Sequence, residues 1–273
     1  MSLLLSIETS TSVCSVAVHE EGRLLELVQT EIPQSASSQL AVMIKQALDA
    51  IGKSPNQLQG VTVAAGPGSY TGLRIGVATA KGICYALQVP LLSINTLELL
   101  AYQFSLSSSL ELTINKFEKD EMNFRNTENL TTTVTPLLGR GAGGEVLKNE
   151  FSGRSPGGEA LCPMLDARRM EVYCMLLDSD LASIEPTQAK VIDTNSFSDI
   201  LTQRPIYFFG DGALKCQEII KHPNAHFVPG LIPSAAQLGE LGFQKWKSKE
   251  FEDVASFEPF YLKDFMIKKP NLV

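Results

Sequence analysis

No apolar run in the chain approaches the roughly 18 residues that a membrane-spanning helix needs. The opening MSLLLSIETS also lacks a basic n-region and a small-residue cleavage site, so a cytoplasmic protein without membrane contact is expected. Cysteine is sparse: Cys14, Cys84, Cys162, Cys174 and Cys216 are odd in number and contain no CxxC pair, which argues against a disulfide framework or a zinc knuckle and predicts buried free thiols. Basic residues are short as well, 23 against 30 acidic, for a net charge of −7. A chain of that balance does not grip nucleic acid alone, because phosphate neutralisation needs clustered Lys and Arg. Histidine occurs three times. His222 and His226 form the one i, i+4 pair, but Pro223 between them would cost a helix interior about 3 kcal/mol, so a loop without metal is expected. His19, at a strand end beside EEG, is expected to be solvated. No serine sits in a GxSxG elbow, which leaves a Ser/His/Asp peptidase without residues.

What the 273 residues do contain is enough apolar side chain, 44%, for one or two compact cores. LLLSIE is an apolar run ending in Glu8, TSTS is a turn, and VCSVAVHEEGRLLELVQT supplies two further strands around an EEG turn. The same order of strand, acid, small turn and returning strand recurs in LCPMLDARRMEVYCMLLD, with Asp166 in the place of Glu8. Two such hairpins predict an internally duplicated α/β protein. Between them, SASSQLAVMIKQALDAIG carries Leu40, Ile44, Ala47, Leu48 and Ile51 at helical spacing, with Gly52 at its end.

The segment AAGPGSYTGLRIG, residues 64–76, joins a short buried strand, GVTVAA, to a helix that Pro90 terminates. Glycines before a helix N-terminus suit an anion, since unpaired N–H groups and the helix dipole point the same way. The P-loop pattern GxxxxGK[ST] fails here for want of its lysine, and GxGxxG fails at its last glycine. Gly72, Gly76 and Ala80 instead recur every fourth residue, forming a flat ridge that another helix could approach closely. Spacing leaves both packing and anion binding open.

LLSIETSTSVCSVAV, AAGPGSYTGLRIGVATAKGICYAL, PLLSINTLELLA, MLDARRMEVY, FFGDGA and PFYLKD, in this order, resemble the TsaB (YeaZ) family of bacterial tRNA threonylcarbamoyladenosine biosynthesis proteins. The resemblance covers residues 1–102 and 161–273. It implies a two-lobed actin-like ATPase (ASKHA) fold with duplicated mixed sheets flanked by helices. It further implies a non-catalytic subunit that binds and activates TsaD, the enzyme that transfers threonylcarbamoyl from an adenylate to the adenosine next to the anticodon of ANN-reading tRNAs. The implied partners are TsaD and TsaE, with a homodimer when TsaD is absent and tRNA reached only through the complex. The two early helices supply the docking surface in this family, and Met43, Ala47, Gly72, Leu73, Gly76, Val77 and Ala80 are the candidate contacts. The competing reading turns both apolar faces into their own lobe.

In actin-like ATPases, acids at the two turns hold Mg²⁺ through water. Glu8, Thr9, Ser10, Asp166, Gly210, Asp211 and Gly212 are therefore candidates for a vestigial nucleotide site, Asp211 being equally an N-cap. ETSTS and DARRM contain no glycine, so close approach of a triphosphate is hard, and no cofactor beyond weak nucleotide binding is expected. The TsaD-type HxxxH metal pair is missing from the first long helix. An actin-like small-molecule kinase or ATPase stands as the alternative function. Residues 103–160, rich in Ser, Thr, Asn and Gly, depart from the family and read as a largely disordered insertion between a lobe at 1–102 and a lobe at 161–273.

Overall fold

The computed structural model describes residues 2–30, 36–107 and 158–262. Most of the predicted 103–160 insertion, residues 108–157, lies outside them. Residues 103–107 belong to a helix, and Ala160 already opens a strand.

The chain begins with β1 (Leu3–Glu8), β2 (Cys14–Glu20), β3 (Arg23–Thr30), α1 (Ala36–Ala50), β4 (Gly60–Gly66), α2 (Tyr70–Leu87), β5 (Leu91–Asn95) and α3 (residues 96–107). The second series is β6 (Ala160–Asp166), β7 (Glu171–Leu177), β8 (Ser183–Val191), α4 (Ser198–Leu201), β9 (Ile206–Phe209), α5 (Ala213–Cys216), β10 (Ala225–Val228) and α6 (Ala235–Ser248). The first sheet runs β3-β2-β1-β4-β5 and the second β8-β7-β6-β9-β10. In each, three antiparallel strands continue into two parallel ones, so the duplication read from the hairpins is present strand for strand.

Why β1 is apolar throughout follows from its place at the centre of a sheet covered on both faces. Leu3, Leu5 and Ile7 meet Met43, Ala47, Leu48, Val77 and Ala80 of α1 and α2 on one face. The other face receives α6. There Gly239 lies against the His19 ring and Gly242 against Thr62, the two glycines letting the helix settle on polar side chains. Ser15 Oγ accepts the Ala235 N–H at 2.9 Å, and His19 Nε2 donates to the Ala236 carbonyl at 2.8 Å. His19 is thus fully buried rather than solvated, because α6, distant in sequence, closes over it.

The lobes exchange helices. Leu97, Leu100 and Ala101 of α3 pack on Leu161, Leu165 and Phe209 of the second sheet, while α6 and the segment after it return to the first. In space, therefore, the lobe boundaries do not fall at 102 and 161. Asn95 stands at the crossing: its Oδ1 caps α3 at Leu97 N, and its Nδ2 donates to Thr187 Oγ1 of β8 at 3.0 Å. After α6, the Glu252 N–H bonds the Leu91 carbonyl, Lys81 Nζ reaches the carbonyls of Ala255 and Phe257, and the Phe260 N–H bonds the Ala65 carbonyl. All five cysteines are buried and unpaired. Among the described residues no helix is long and apolar enough to cross a membrane.

Candidate functional site: two acidic turns and a helix pair

The first turn follows Glu8 at the end of β1. Glu8, Thr9 and Ser10 are all buried. Glu8 Oε1 accepts the Ser10 N–H at 2.5 Å, and its Oε2 has no hydrogen-bond partner among the described residues. Burial pushes the Glu8 carboxyl up to about 7 against the lowering pull of Ser10. The Cys14 thiol is raised to about 11 by burial first and by the Glu8 charge second.

What covers this turn is the glycine segment. Thr9 Oγ1 donates to the Gly72 carbonyl at 2.8 Å, and the Ser69 N–H donates to the Ser10 carbonyl at 2.6 Å. A Cβ on Gly72 would stand 2.0 Å from the Thr9 carbonyl oxygen, and one on Gly76 2.3 Å from Thr9 Oγ1. Gly66, at φ +104°, makes the turn into the segment beneath Phe260, a conformation that side chains rarely adopt. Ser69 caps α2 by accepting the Gly72 N–H. The glycine segment thus cradles the chain's own Thr9–Ser10 turn.

The second turn follows Asp166 at the end of β6. Its N–H donates to Asp211 Oδ1 at 2.9 Å, and its Oδ1 accepts from the Arg168 N–H at 3.0 Å and from Lys215 Nζ. Lys215 Nζ also donates to the Arg169 carbonyl at 2.8 Å and the Glu171 carbonyl at 2.6 Å. Gly210, at φ +99°, and Gly212 let the β9–α5 connection press against β6, where a Cβ on Gly210 would stand 2.2 Å from the Met164 carbonyl oxygen. Burial raises the Asp211 carboxyl above the usual range, the Asp166 N–H opposes, and the Asp166 charge adds to the rise. Asp211 is not the cap of α5. Gly212 holds that position, and the carboxylate turns back to β6 instead.

The predicted docking residues point inward. Met43, Ala47, Leu73, Val77 and Ala80 are each at most 3% exposed, and Gly72 and Gly76 are buried against Thr9. The ridge is a seat for the turn within the lobe and offers no surface to a second chain, which corrects the sequence reading of these seven positions. Outward on the same helices lie Val42, 54% exposed, and a stripe along α2 of Arg74, Ala78, Gly82 and Tyr85, the last 76% exposed. A Cβ added to Gly82 would touch nothing. Tyr70 at the head of α2 lies 5.0 Å from the Tyr261 ring and 5.5 Å from the Arg74 guanidinium.

His222 lies in a loop and accepts the Asn224 N–H on Nδ1, while His226 on β10 stacks on Tyr207. No group of three or more His, Cys, Asp or Glu side chains that could hold a metal occurs among the described residues. Lys215 was invisible to sequence reading because its partners lie 44 to 49 positions away and no local pattern marks it.

Residues 30–113, which carry α1 and α2, match the family described as TsaD, tRNA N6-adenosine threonylcarbamoyltransferase. The chain is 33% identical over 98 residues to the tRNA threonylcarbamoyladenosine biosynthesis protein TsaB of Bacillus subtilis, a match that covers 36% of this chain and 43% of that one. It is 33% identical over 125 residues to a tRNA N6-adenosine threonylcarbamoyltransferase of Geotalea uraniireducens, covering 40% and 36%. The chain thus spans less than half the length of these curated relatives. The solved structure of YeaZ from Pseudomonas aeruginosa superposes with a TM-score of 0.65 at 23% identity, over 96% of this chain and all of that one. The fold is therefore the two-lobed actin-like one, and the resemblance to the TsaB (YeaZ) family is borne out by sequence over 36% of the chain and by fold over nearly all of it.

Proposed function

We propose, on the footing of this TsaB (YeaZ) relationship, that the chain serves the synthesis of N6-threonylcarbamoyladenosine in tRNA as an accessory subunit, binding a TsaD-type transferase and activating it. The observation that carries the reading is the outward stripe of α1 and α2, small at Ala78 and Gly82 and apolar and exposed at Val42 and Tyr85, on the segment that matches the TsaD family. Two related chains that present the same pair of helices can pair about a pseudo-twofold axis, each stripe receiving the other's helices. The same face serves a homodimer when the transferase is absent. Tyrosine and arginine at such a face are the side chains that most often dominate binding energy.

The acidic balance of the chain fits a subunit that meets tRNA only within the complex, where TsaE joins. It requires no cofactor of its own in this role and acts in the cytoplasm. The kinase or ATPase alternative is disfavoured by the state of the turns. In one lobe the Ser10 N–H, a donor that would face a phosphate, is bonded to Glu8 and the Thr9 hydroxyl to the Gly72 carbonyl, and the acid of the other lobe is bonded to Lys215.

The test is capture of a purified TsaD-type transferase on this chain. Gly82→Trp is expected to abolish capture while the chain stays folded, since the position is exposed and an added Cβ there meets nothing within 4 Å in the free subunit. Undiminished capture by that variant would contradict the placement of the surface.

A further inference from the structure

Nucleotide chemistry on an actin-like fold relies on a hard cation at the acidic turns, and the residues here do not fit one. Resting on the non-catalytic reading above, we propose that the Lys215 ammonium is a built-in cation that takes the place of a divalent metal in the second turn, so that this lobe neither needs nor accepts a magnesium–nucleotide.

The coordination of the ammonium carries the argument. Lysine offers three donors, and three oxygens receive them: Asp166 Oδ1 and the carbonyls of Arg169 and Glu171. Carboxylate and main-chain carbonyl oxygen are the ligands that a hard divalent cation selects, and the second acid, Asp211, is tied to the same turn through the Asp166 N–H. Arg168 and Arg169 both stand at positive φ, +67° and +52°, which brings the Arg169 carbonyl round to the ammonium. A solvent-exposed ion pair contributes little to holding a turn, but the Lys215 side chain is only 23% exposed and two of its three bonds go to backbone. A metal arriving here would meet a fixed positive charge a few ångströms away, whose repulsion opposes binding.

The first turn is closed in a matching way. The Ser10 N–H is held by Glu8, the Ser10 carbonyl by Ser69, and the Thr9 hydroxyl by Gly72, with Glu8, Thr9, Ser10 and Gly72 buried. Each lobe thus occupies its own turn with groups from this chain, the first with Glu8 and the glycine segment and the second with an ammonium.

Titration calorimetry with Mn²⁺, and separately with Mg²⁺ and ATP together, tests the proposal on the full chain. The wild type is expected to show no saturable heat with either. Lys215→Met, which keeps the length of the stem and removes the charge, is expected to gain a Mn²⁺ site at least about tenfold tighter than any binding by the wild type. Asp166→Asn added to it should remove that site. Should the Met variant not fold by circular dichroism, Lys215→Gln takes its place. A folded, uncharged variant that binds no Mn²⁺ overturns the proposal, and so does saturable wild-type binding that Asp166→Asn abolishes. Capture of the transferase is scored on the same preparations. Failure of the wild type to capture the transferase, beside a metal site gained by the Met variant, would reject the subunit reading and leave this one standing.

Discussion

Gly72 lies against the carbonyl of Thr9 so closely that a Cβ in its place would stand 2.0 Å from the oxygen. One turn further along α2, Gly76 meets the Thr9 hydroxyl in the same manner. Helix and turn are therefore one packed unit.

Replacing Gly72 with Ala is expected to destabilise the free chain by at least about 3 kcal/mol, because backbone rather than a flexible side chain must give way. Gly82→Ala, on the outward side of the same helix, should stabilise it by about 0.5–1 kcal/mol through helix propensity. Urea unfolding midpoints of the two variants check both, and equal midpoints would deny that the ridge seats the turn.

His19 makes stability depend on acid. Burial lowers its imidazole to about 4 from an ordinary 6.5, so the folded chain resists a proton that the unfolded chain takes up. Its contribution is complete above about pH 6.5 and is lost as the pH falls towards 4, a change of about 3 kcal/mol. Denaturant unfolding from pH 7 to pH 4 should follow that course, and His19→Asn should flatten it.

Glu8 works in the opposite sense. Its carboxyl is raised from 4.5 to about 7, so the unfolded chain ionises first and the fold loses stability as the pH rises between those values. Glu8→Gln is expected to be more stable than the wild type at pH 8 and to lose that advantage at pH 4. Melting temperatures of the pair at the two pH values decide it.

Tyr85 is the most exposed large apolar side chain of the helix pair, and Tyr85→Ala should weaken transferase capture at least about tenfold without shifting the melting temperature. A bulky residue at Gly76 should instead unfold the chain, since that glycine is buried against Thr9. Size-exclusion chromatography with circular dichroism separates lost docking from lost fold.

The duplicated sheets were legible in the sequence because an apolar strand ending in an acid and a small turn is a local pattern, and it occurs at both Glu8 and Asp166. The helical spacing around Leu40 to Leu48 and the helix stop near Pro90 were local too. The direction in which the small-residue ridge faces was not, since Gly72 and Gly76 suit any close neighbour and only the fold selects Thr9. His19 looked solvated because the helix that buries it lies 217 residues away. The exchange of α3 and α6 between lobes, and the capture of Asp166 by Lys215, likewise arise from contacts that no window of sequence contains.

The central claim meets its most direct test in a reconstituted modification reaction. A purified TsaD-type transferase, TsaE, the threonylcarbamoyl-adenylate donor system and tRNA are combined with and without this chain, and the modified nucleoside is quantified by mass spectrometry. The account predicts modification with the wild type and with Gly82→Ala, and none with Gly82→Trp or without the chain. Equal modification in the chain's absence would contradict it.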